Sequence, residues 1–456
     1  MILTTIIVLC DKETDNVQSL FLCLKSTFIN KIISNIIFNK MEKKKVIIVG
    51  GGFGGIMAAK EFKDTEFEVT LVDKTNHHLF QPLLYQVAAA ALSPADIATP
   101  IRSVFSKQEN IKVVLDEVIS VDKEKQIIRL KDTQLRFDSL ILSPGSRHSY
   151  FGNDQWERYA PGIKTLSDAL GIREHILNSL ECAEKEIDKS RMQKYLTFVV
   201  IGGGPTGVEL AGSIAEIAKK NMVRDYKNFR AEDTKVILVE LLPRILLSYT
   251  EDLSEKAKRS LEQMGVDVRL NTKVTNINDS GVELGDIFIE SKNVIWAAGN
   301  LASPLISTLN IETDKSGRAI VEYDCSVPGH PNIFVIGDAA LVKDAKGEIL
   351  PGVAPVAMQQ GKFVGRLIVN GNNNERKKFV YVDKGSMATI GKARAVAMIK
   401  GLKLSGWIAW LAWSFVHIFF LIGFRNRFRV FAEWIWYYIT NRQGTRLITK
   451  YHEARN

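Results

Sequence analysis

"KVIIVGGGFGGIMAAKEF", Lys45–Phe62, decides the fold. Val46, Ile47, Ile48 and Val49 run without a polar interruption, as a strand buried on both faces of a parallel sheet does. Gly50, Gly52 and Gly55 follow in G-x-G-x-x-G spacing, and small apolar residues then line a helix. Each glycine has its own task. Gly50 permits the tight turn, Gly52 lets backbone amides approach a pyrophosphate, and Gly55 lets the helix pack on the sheet with its N-terminus toward the phosphates. "EVTLVD", Glu68–Asp73, forms the next strand and ends on Asp73, placed to accept from ribose hydroxyls. Glycine trios alone also serve ordinary turns, whereas strand, glycines, helix, strand and acid in this order specify a dinucleotide-binding unit.

The pattern occurs again. "YLTFVVIGGGPTGVELAGSIAEIA", Tyr195–Ala218, supplies Gly202, Gly204 and Gly207 behind an apolar strand, and "KVILVE", Lys235–Glu240, places Glu240 at the end of the next. The polar stretch Lys219–Thr234 lengthens this second unit and reads as a surface excursion. Two complete units in one chain imply two nucleotides held face to face, an arrangement suited to passing electrons between them.

Composition agrees. At 456 residues, 46% hydrophobic and 24% charged, the chain is long enough for two to four domains and is not a disordered protein. A net charge of +9 favours an anionic partner; no nucleic-acid motif competes for it, and charge alone does not choose between an acidic membrane surface and a phosphorylated cofactor. The four cysteines form no CxxC motif or disulfide framework, and no His, Cys or acidic set has metal-ligand spacing, so a reducing compartment and no metal are expected. Residues 1–40 show neither a basic start nor a cleavage site, and the text changes abruptly at Met41. They read as upstream sequence translated ahead of the true start, or as a weakly ordered extension.

"NIFVIGDAA", Asn332–Ala340, resembles the glycine-aspartate motif of two-dinucleotide flavoproteins, in which the aspartate holds the ribityl and phosphate part of FAD. "LILSPGS", Leu140–Ser146, and "VIWAAG", Val294–Gly299, resemble the paired strand-to-glycine connections of that superfamily. The resemblance implies an α/β fold of two Rossmann-like domains, an FAD domain (residues 41–165 and 321–375) interrupted by an NADH domain (166–320), with a membrane-anchoring segment at 376–456.

"NHHLFQPLLYQVA", Asn76–Ala88, "PGVAPVAMQQG", Pro351–Gly361, and "GFRNR", Gly423–Arg427, resemble a narrower family, the type II NADH:quinone oxidoreductases, which do not pump protons. The resemblance runs from Met41 nearly to the C-terminus. It implies FAD contacts from Gly50, Gly52, Phe53, Gly54, Gly55, Asp73, Gly337, Asp338 and Ala357, and NADH contacts from Gly202, Gly204, Gly207, Glu209, Glu240 and Gly299. Pro355, Met358 and Gln359 are expected beside the quinone, Pro355 standing where many members carry a glutamine that can donate to the quinone carbonyl. Glu209 and Gln359 are the expected catalytic residues, Glu209 near the nicotinamide, although a first-turn acid complementing the helix dipole would read the same way. His77 and His78 read as structural. The implied chemistry is a relay in two steps, from NADH to flavin and from flavin to a membrane quinone.

Where such an enzyme meets its acceptor is written near the end. "WIAWLAWSFVHIFFLIGFRNRFRV", Trp407–Val430, carries an apolar run of 17 residues to Gly423. At about 1.5 Å per residue this reaches about 26 Å, short of a hydrocarbon core of about 30 Å. Two helices lying in the membrane interface are expected, with Trp410, Trp413 and Phe420 on the apolar face. Trp434, Trp436, Tyr437 and Tyr438 are expected at headgroup level, and Arg425, Arg427 and Arg429 on anionic lipid. A peripheral protein on the cytoplasmic face of a bacterial-type inner membrane follows; a homodimer is compatible with the same segment. Cutting the chain before Ser405 is expected to spare the NADH step and abolish the quinone step. The competing readings are a sulfide:quinone oxidoreductase, which needs a redox cysteine pair, and a nucleotide-sensing membrane flavoprotein without turnover.

Overall fold

The first glycine loop lies between β1 (Lys45–Val49) and α1 (Phe53–Glu61), in a computed structural model that describes residues 43–221, 225–344, 346–371, 377–440 and 444–448. Residues 1–40, for which upstream sequence or a weak extension was expected, lie outside the described residues. The chain continues through β2 (Glu68–Asp73), a short helix α2 (Leu84–Ala88), β3 (Ile111–Leu115), β4 (Ser139–Leu142) and β5 (Ser146–His148). Helix α3 (Leu166–Lys185), capped by Thr165 and Asp168, leads into the second unit. There β6 (Thr197–Ile201), α4 (Pro205–Glu216), β7 (Lys235–Val239), α5 (Glu251–Gln263), β8 (Val266–Arg269) and β9 (Asn293–Trp296) follow in turn. Strand β10 (Asn300–Ala302) leads out, β11 (Ser326–Val327) and β12 (His330–Val335) follow, and α6 (Ala354–Val369) comes after them.

The first sheet has the order β11-β12-β4-β1-β2-β3, parallel throughout except for the β11–β12 pair. Strand β12 enters it beside β4, with Ile333 opposite Leu140 and Val335 opposite Leu142. The first Rossmann-like unit is therefore completed only after the second, whose parallel sheet has the order β8-β7-β6-β9. An antiparallel pair, β5 with β10, joins the two at their crossover.

Glycines fix how closely the layers approach. A Cβ at Gly361 of α6 would overlap the Gly54 carbonyl of α1, and one at Gly365 would come within 2.9 Å of the Ala58 carbonyl. The absence of side chains there lets α6 lie directly on α1 and brings its N-terminus to the first glycine loop.

The last part is a meander of β13 (Ser386–Gly391), β14 (Arg394–Ile399) and β15 (Leu402–Ser405), then α7 (Gly406–Phe420) and α8 (Phe424–Thr440), which Gly423 separates at φ +91°. Among the described residues no helix is long and apolar enough to cross a membrane. Both helices belong to the core of the second unit on one side: Trp413, Leu421 and Val430 are buried in it beside Ile214 and Val396. Trp413 thus faces inward, contrary to its expected place on the lipid side. The outward side carries Trp407, Ile408, Phe415, Phe419, Phe424 and Phe428, all exposed. The aromatic belt also divides, because Trp434 and Tyr437 turn toward the protein while Trp436 and Tyr438 stay exposed.

Candidate functional site: two facing dinucleotide loops

The two glycine loops are built alike. Gly50 and Gly202 each donate to the strand alongside, to Val72 and Val239, both at 2.8 Å. Their φ values, +99° and +112°, are left-handed and favour glycine. A Cβ at Gly55 would overlap the Gly50 carbonyl, and one at Gly207 the Gly202 carbonyl. At Gly52 and Gly204, by contrast, no protein atom lies within 4 Å of a Cβ, so the open face of each loop is where phosphates fit. The terminal acids close the cradle: Asp73 Oδ2 accepts from Gly51 N and Glu240 Oε2 from Gly203 N, both at 2.5 Å. His78, expected to be structural, supports the first loop by donating from Nδ1 to Gly51 O at 3.0 Å and meeting the Phe53 ring edge-on at 5.1 Å. Burial lowers its pKa, which keeps it neutral.

Glu240 stands at the end of β7, where the sequence leads one to expect the acid that selects the nucleotide. Its other oxygen accepts from Leu242 N at 2.8 Å, which holds the carboxylate at the end of β7 where a 2′-phosphate would meet like charge. Arg244 cannot relieve that repulsion, because its guanidinium donates to Tyr249 O at 2.6 Å, Ser254 Oγ at 2.9 Å and Leu247 O at 3.0 Å. Glu240→Ala is expected to narrow the preference for NADH over NADPH about tenfold in kcat/KM, the scale of one hydrogen-bonded or repelled group. Steady-state kinetics with both nucleotides measure it, and equal kcat/KM in the parent protein would refute the role.

Behind the first loop, Asp338 Oδ2 accepts from Ser146 Oγ at 2.7 Å, and Ser146 Oγ accepts from Lys164 Nζ at 2.7 Å. Gly337, at φ +71°, donates its amide to Gln360 Oε1 at 2.7 Å. Ala357 is buried beside both Gly54 and Gly337. Gln359, next to Gln360 in sequence, points elsewhere and exchanges two bonds of 3.0 Å with the Val382 backbone. Successive residues of a helix are rotated by about 100°, so the helix phase, which sequence reasoning left unresolved, assigns the buried role to Gln360. Pro355 occupies the first turn of α6, where its missing N–H leaves no bond unmade. Met358 is half-buried on the same helix. Gly299 lies between β9 and β10, with φ +70°.

Glu209 is not a first-turn acid; it stands on the fifth residue of α4 and accepts from Thr389 N of β13 at a long 3.4 Å. Desolvation pushes its carboxyl up to about 8. A raised carboxyl favours the folded protein in full below its ordinary pKa of 4.5, and that contribution is lost as pH rises through 8. Glu209→Gln is therefore expected to melt increasingly above the parent protein from pH 4.5 to pH 8, with a constant difference beyond. Thermal unfolding of both across that window tests it, and a difference independent of pH would place the carboxylate in water. Tyr85 of α2 is buried against Glu209, and its hydroxyl accepts from Gln86 Nε2 at 2.8 Å. Gln86 Oε1 in turn accepts from Trp434 Nε1 at 2.8 Å.

The C-terminal helices touch this site directly. Ring contacts run from Phe53 to Phe80 at 5.9 Å, from Phe80 to His417 at 6.1 Å and from His417 to Trp413 at 4.3 Å. His417 donates from Nδ1 to Trp413 O at 2.7 Å, and burial lowers its pKa to about 4, so it sits neutral in the apolar helix. Two of the arginines expected on lipid have partners within the protein: Arg427 donates to Leu421 O at 2.8 Å, and Arg429 lies 3.8 Å from Asp96.

The open loop faces, the paired acids and the unpartnered buried Nε2 of His78 fit two dinucleotides with their phosphates on the helix N-termini. This is the class that the profile of the pyridine nucleotide-disulphide oxidoreductase family identifies over residues 44–361, while the NDH2 C-terminal domain matches residues 384–443. The chain is 41% identical over 426 residues to the type II NADH:quinone oxidoreductase NdhA of Mycobacterium tuberculosis, spanning 89% of this chain and 90% of that protein. Identity to Ndh of the same organism is 40%, over 90% of this chain and 91% of that one. The chain belongs to the type II NADH:quinone oxidoreductase family. Its fold superimposes on NDH2 of Plasmodium falciparum in complex with NADH with a TM-score of 0.82, at 22% identity over 88% of this chain and 99% of that one. The sulfide:quinone oxidoreductase of Aquifex aeolicus shares the fold less closely, with a TM-score of 0.68 at 17% identity over 84% and 92% of the two chains. The two described cysteines do not match the redox pair which that rival needs, since Cys325 is buried in the first core with its thiol pKa raised while Cys182 lies on α3.

Proposed function

We propose that the chain works at a membrane surface, with NADH entering on the side of the second unit and quinone arriving past α7. It oxidises NADH through FAD and reduces quinone without pumping protons. Bound FAD supplies the two-electron couple that links NADH oxidation to quinone reduction. Residues 41–165 and 321–375 hold FAD, residues 166–320 hold NADH, and residues 376–456 dock on lipid.

The protein's own contribution is position and electrostatics. Gly50, Gly52, Phe53, Gly54 and Gly55 form the FAD cradle, Asp73 takes the ribose, and Gly337, Asp338 and Ala357 take the ribityl and ring side. Gly202, Gly204, Gly207, Glu240 and Gly299 hold NADH. Glu209, kept protonated near neutral pH by burial, orients the nicotinamide end and holds a proton close to the site. Pro355 and Met358 border the quinone, and Gln359, tied to Val382, braces that wall.

The observation that carries the membrane reading is the two-sidedness of α7. His417 and Trp413 pack toward Phe80 and the FAD loop, while Phe415 and Phe419 of the same helix are 72% and 60% exposed. An apolar face of this size on a monomer marks an interaction surface. The cytoplasmic face of the membrane suits the soluble nucleotide and the free thiols. Turnover with a long-tailed quinone in anionic liposomes, compared with turnover on a small soluble acceptor, tests the reading. Full quinone turnover without liposome binding would count against it.

A further inference from the structure

Lys164 is half-buried where the chain crosses from the first unit to the second, and the mechanism above leaves it unused. Its backbone is held at both ends: its N–H donates to Asp168 Oδ2 at 3.0 Å and its carbonyl accepts from Gln81 Nε2 at 3.1 Å. The backbone that carries the side chain is thus held independently of what the ammonium touches. Among the described residues that ammonium contacts no carboxylate, and its hydrogen bond goes to Ser146 Oγ at 2.7 Å.

The direction of the bonds decides what this does. An ammonium only donates, so Ser146 must accept from Lys164, and its single hydroxyl proton must then go to Asp338 Oδ2. One oxygen of Asp338 is consumed and its carboxylate plane is set. The other, Oδ1, faces Gly352, where a Cβ would stand 3.4 Å away, and accepts no hydrogen bond among the described residues. A free acceptor of fixed orientation, backed by a cation one hydroxyl away, is what a ligand hydroxyl requires.

We propose that Lys164 is a positioning residue for the FAD site, acting through Ser146 to orient Asp338 toward the flavin's polyol chain. The proposal rests on the assignment of Asp338 to FAD. Burial lowers the pKa of Lys164 and the nearby Asp338 charge opposes that shift, as expected of a cation kept for its neighbour. Sequence reasoning gave neither side chain a role, because Ser146 only ends the strand-to-glycine stretch Leu140–Ser146 and Lys164 lies 18 positions further on, outside any motif.

The test is the rate of FAD release from the holoenzyme, followed by recovery of flavin fluorescence on dilution. Lys164→Met and Ser146→Ala should each raise it about tenfold, the scale of one charge-assisted hydrogen bond. The double variant should release FAD no faster than either single one, because both remove the same chain of bonds. Lys164→Arg, which keeps the charge and the donors, should restore most of the parent rate. Additive effects, an unchanged rate in Lys164→Met, or no rescue by arginine would overturn the proposal. Asp338→Asn separates the two levels. If it leaves release unchanged, the assignment of Asp338 fails; if it speeds release while Lys164→Met does not, only the relay fails. Should Lys164→Met not accumulate folded, Ser146→Ala alone decides, and parent-like release from it overturns the relay.

Discussion

Gly52→Ala is expected to fold like the parent protein and lose its flavin, whereas Gly204→Ala is expected to stay yellow and no longer be bleached by NADH. The prediction rests on where a methyl group would go. Gly52 and Gly204 have φ values of −74° and −71° in extended backbone, which alanine adopts without strain. Neither Cβ would meet a protein atom within 4 Å, so the folded chain has no reason to rearrange. Each methyl would instead occupy the space that a pyrophosphate needs at a helix N-terminus. Overlap that forces a ligand to shift costs about 3 kcal/mol at the upper end of the overpacking range, on the order of a hundredfold in affinity. Flavin content after gel filtration reads the first variant, and anaerobic bleaching by NADH reads the second. Flavin loss from Gly204→Ala with retention by Gly52→Ala would exchange the two loops, and parent behaviour in both would remove them from nucleotide binding. Gly55→Ala and Gly207→Ala are poorer tests, since their methyl groups would collide with the carbonyls of Gly50 and Gly202 and disturb the fold itself.

A second large effect is expected on the outer face of the C-terminal helices. Phe415, Phe419 and Phe428 are 72%, 60% and 63% exposed and make little of the core. Replacing all three by serine should remove about 1 kcal/mol or more of interfacial burial per ring, hence on the order of a hundredfold in binding to liposomes. NADH oxidation with a small soluble acceptor should persist at the parent rate, and turnover with a long-tailed quinone in liposomes should fall with binding. Retained co-sedimentation with anionic liposomes, together with full quinone turnover, would show that another surface holds the membrane. Cutting the chain before Ser405, the experiment that the sequence suggests, is not equivalent. It would strip Trp413, Leu421 and Val430 from the core of the second unit, and loss of one buried tryptophan alone costs about 3–5 kcal/mol. Polar substitution at Trp413 has the same defect. Salt sensitivity should also be modest, because Arg427 and Arg429 are engaged within the protein and Arg425 is the arginine of the cluster left for lipid.

How much could be read without the structure depended on the range of the interaction. Glycine spacing, apolar strands and terminal acids are local, so Gly50, Gly202, Asp73 and Glu240 announce a turn, a strand end and a ligand preference from a few neighbours in sequence. The amphiphilic C-terminus was legible for the same reason, since hydropathy and length need no partner. What tertiary structure decided was which way each side chain faced. Helix phase against α1 assigned Gln360, not Gln359, to the Gly337 amide, and packing against the second core turned Trp413, Trp434 and Tyr437 inward while leaving Phe415 and Phe419 outside. The pKa of Glu209 required β13 and α2 around it, elements nearly 180 residues downstream and more than a hundred upstream. The Lys164–Ser146–Asp338 chain joins residues up to 192 positions apart, through the return of β12 to the first sheet. No local pattern encodes such contacts. They exist because leaving a buried polar group without a partner is costly, so a packed interior favours pairing across whatever separation the fold closes.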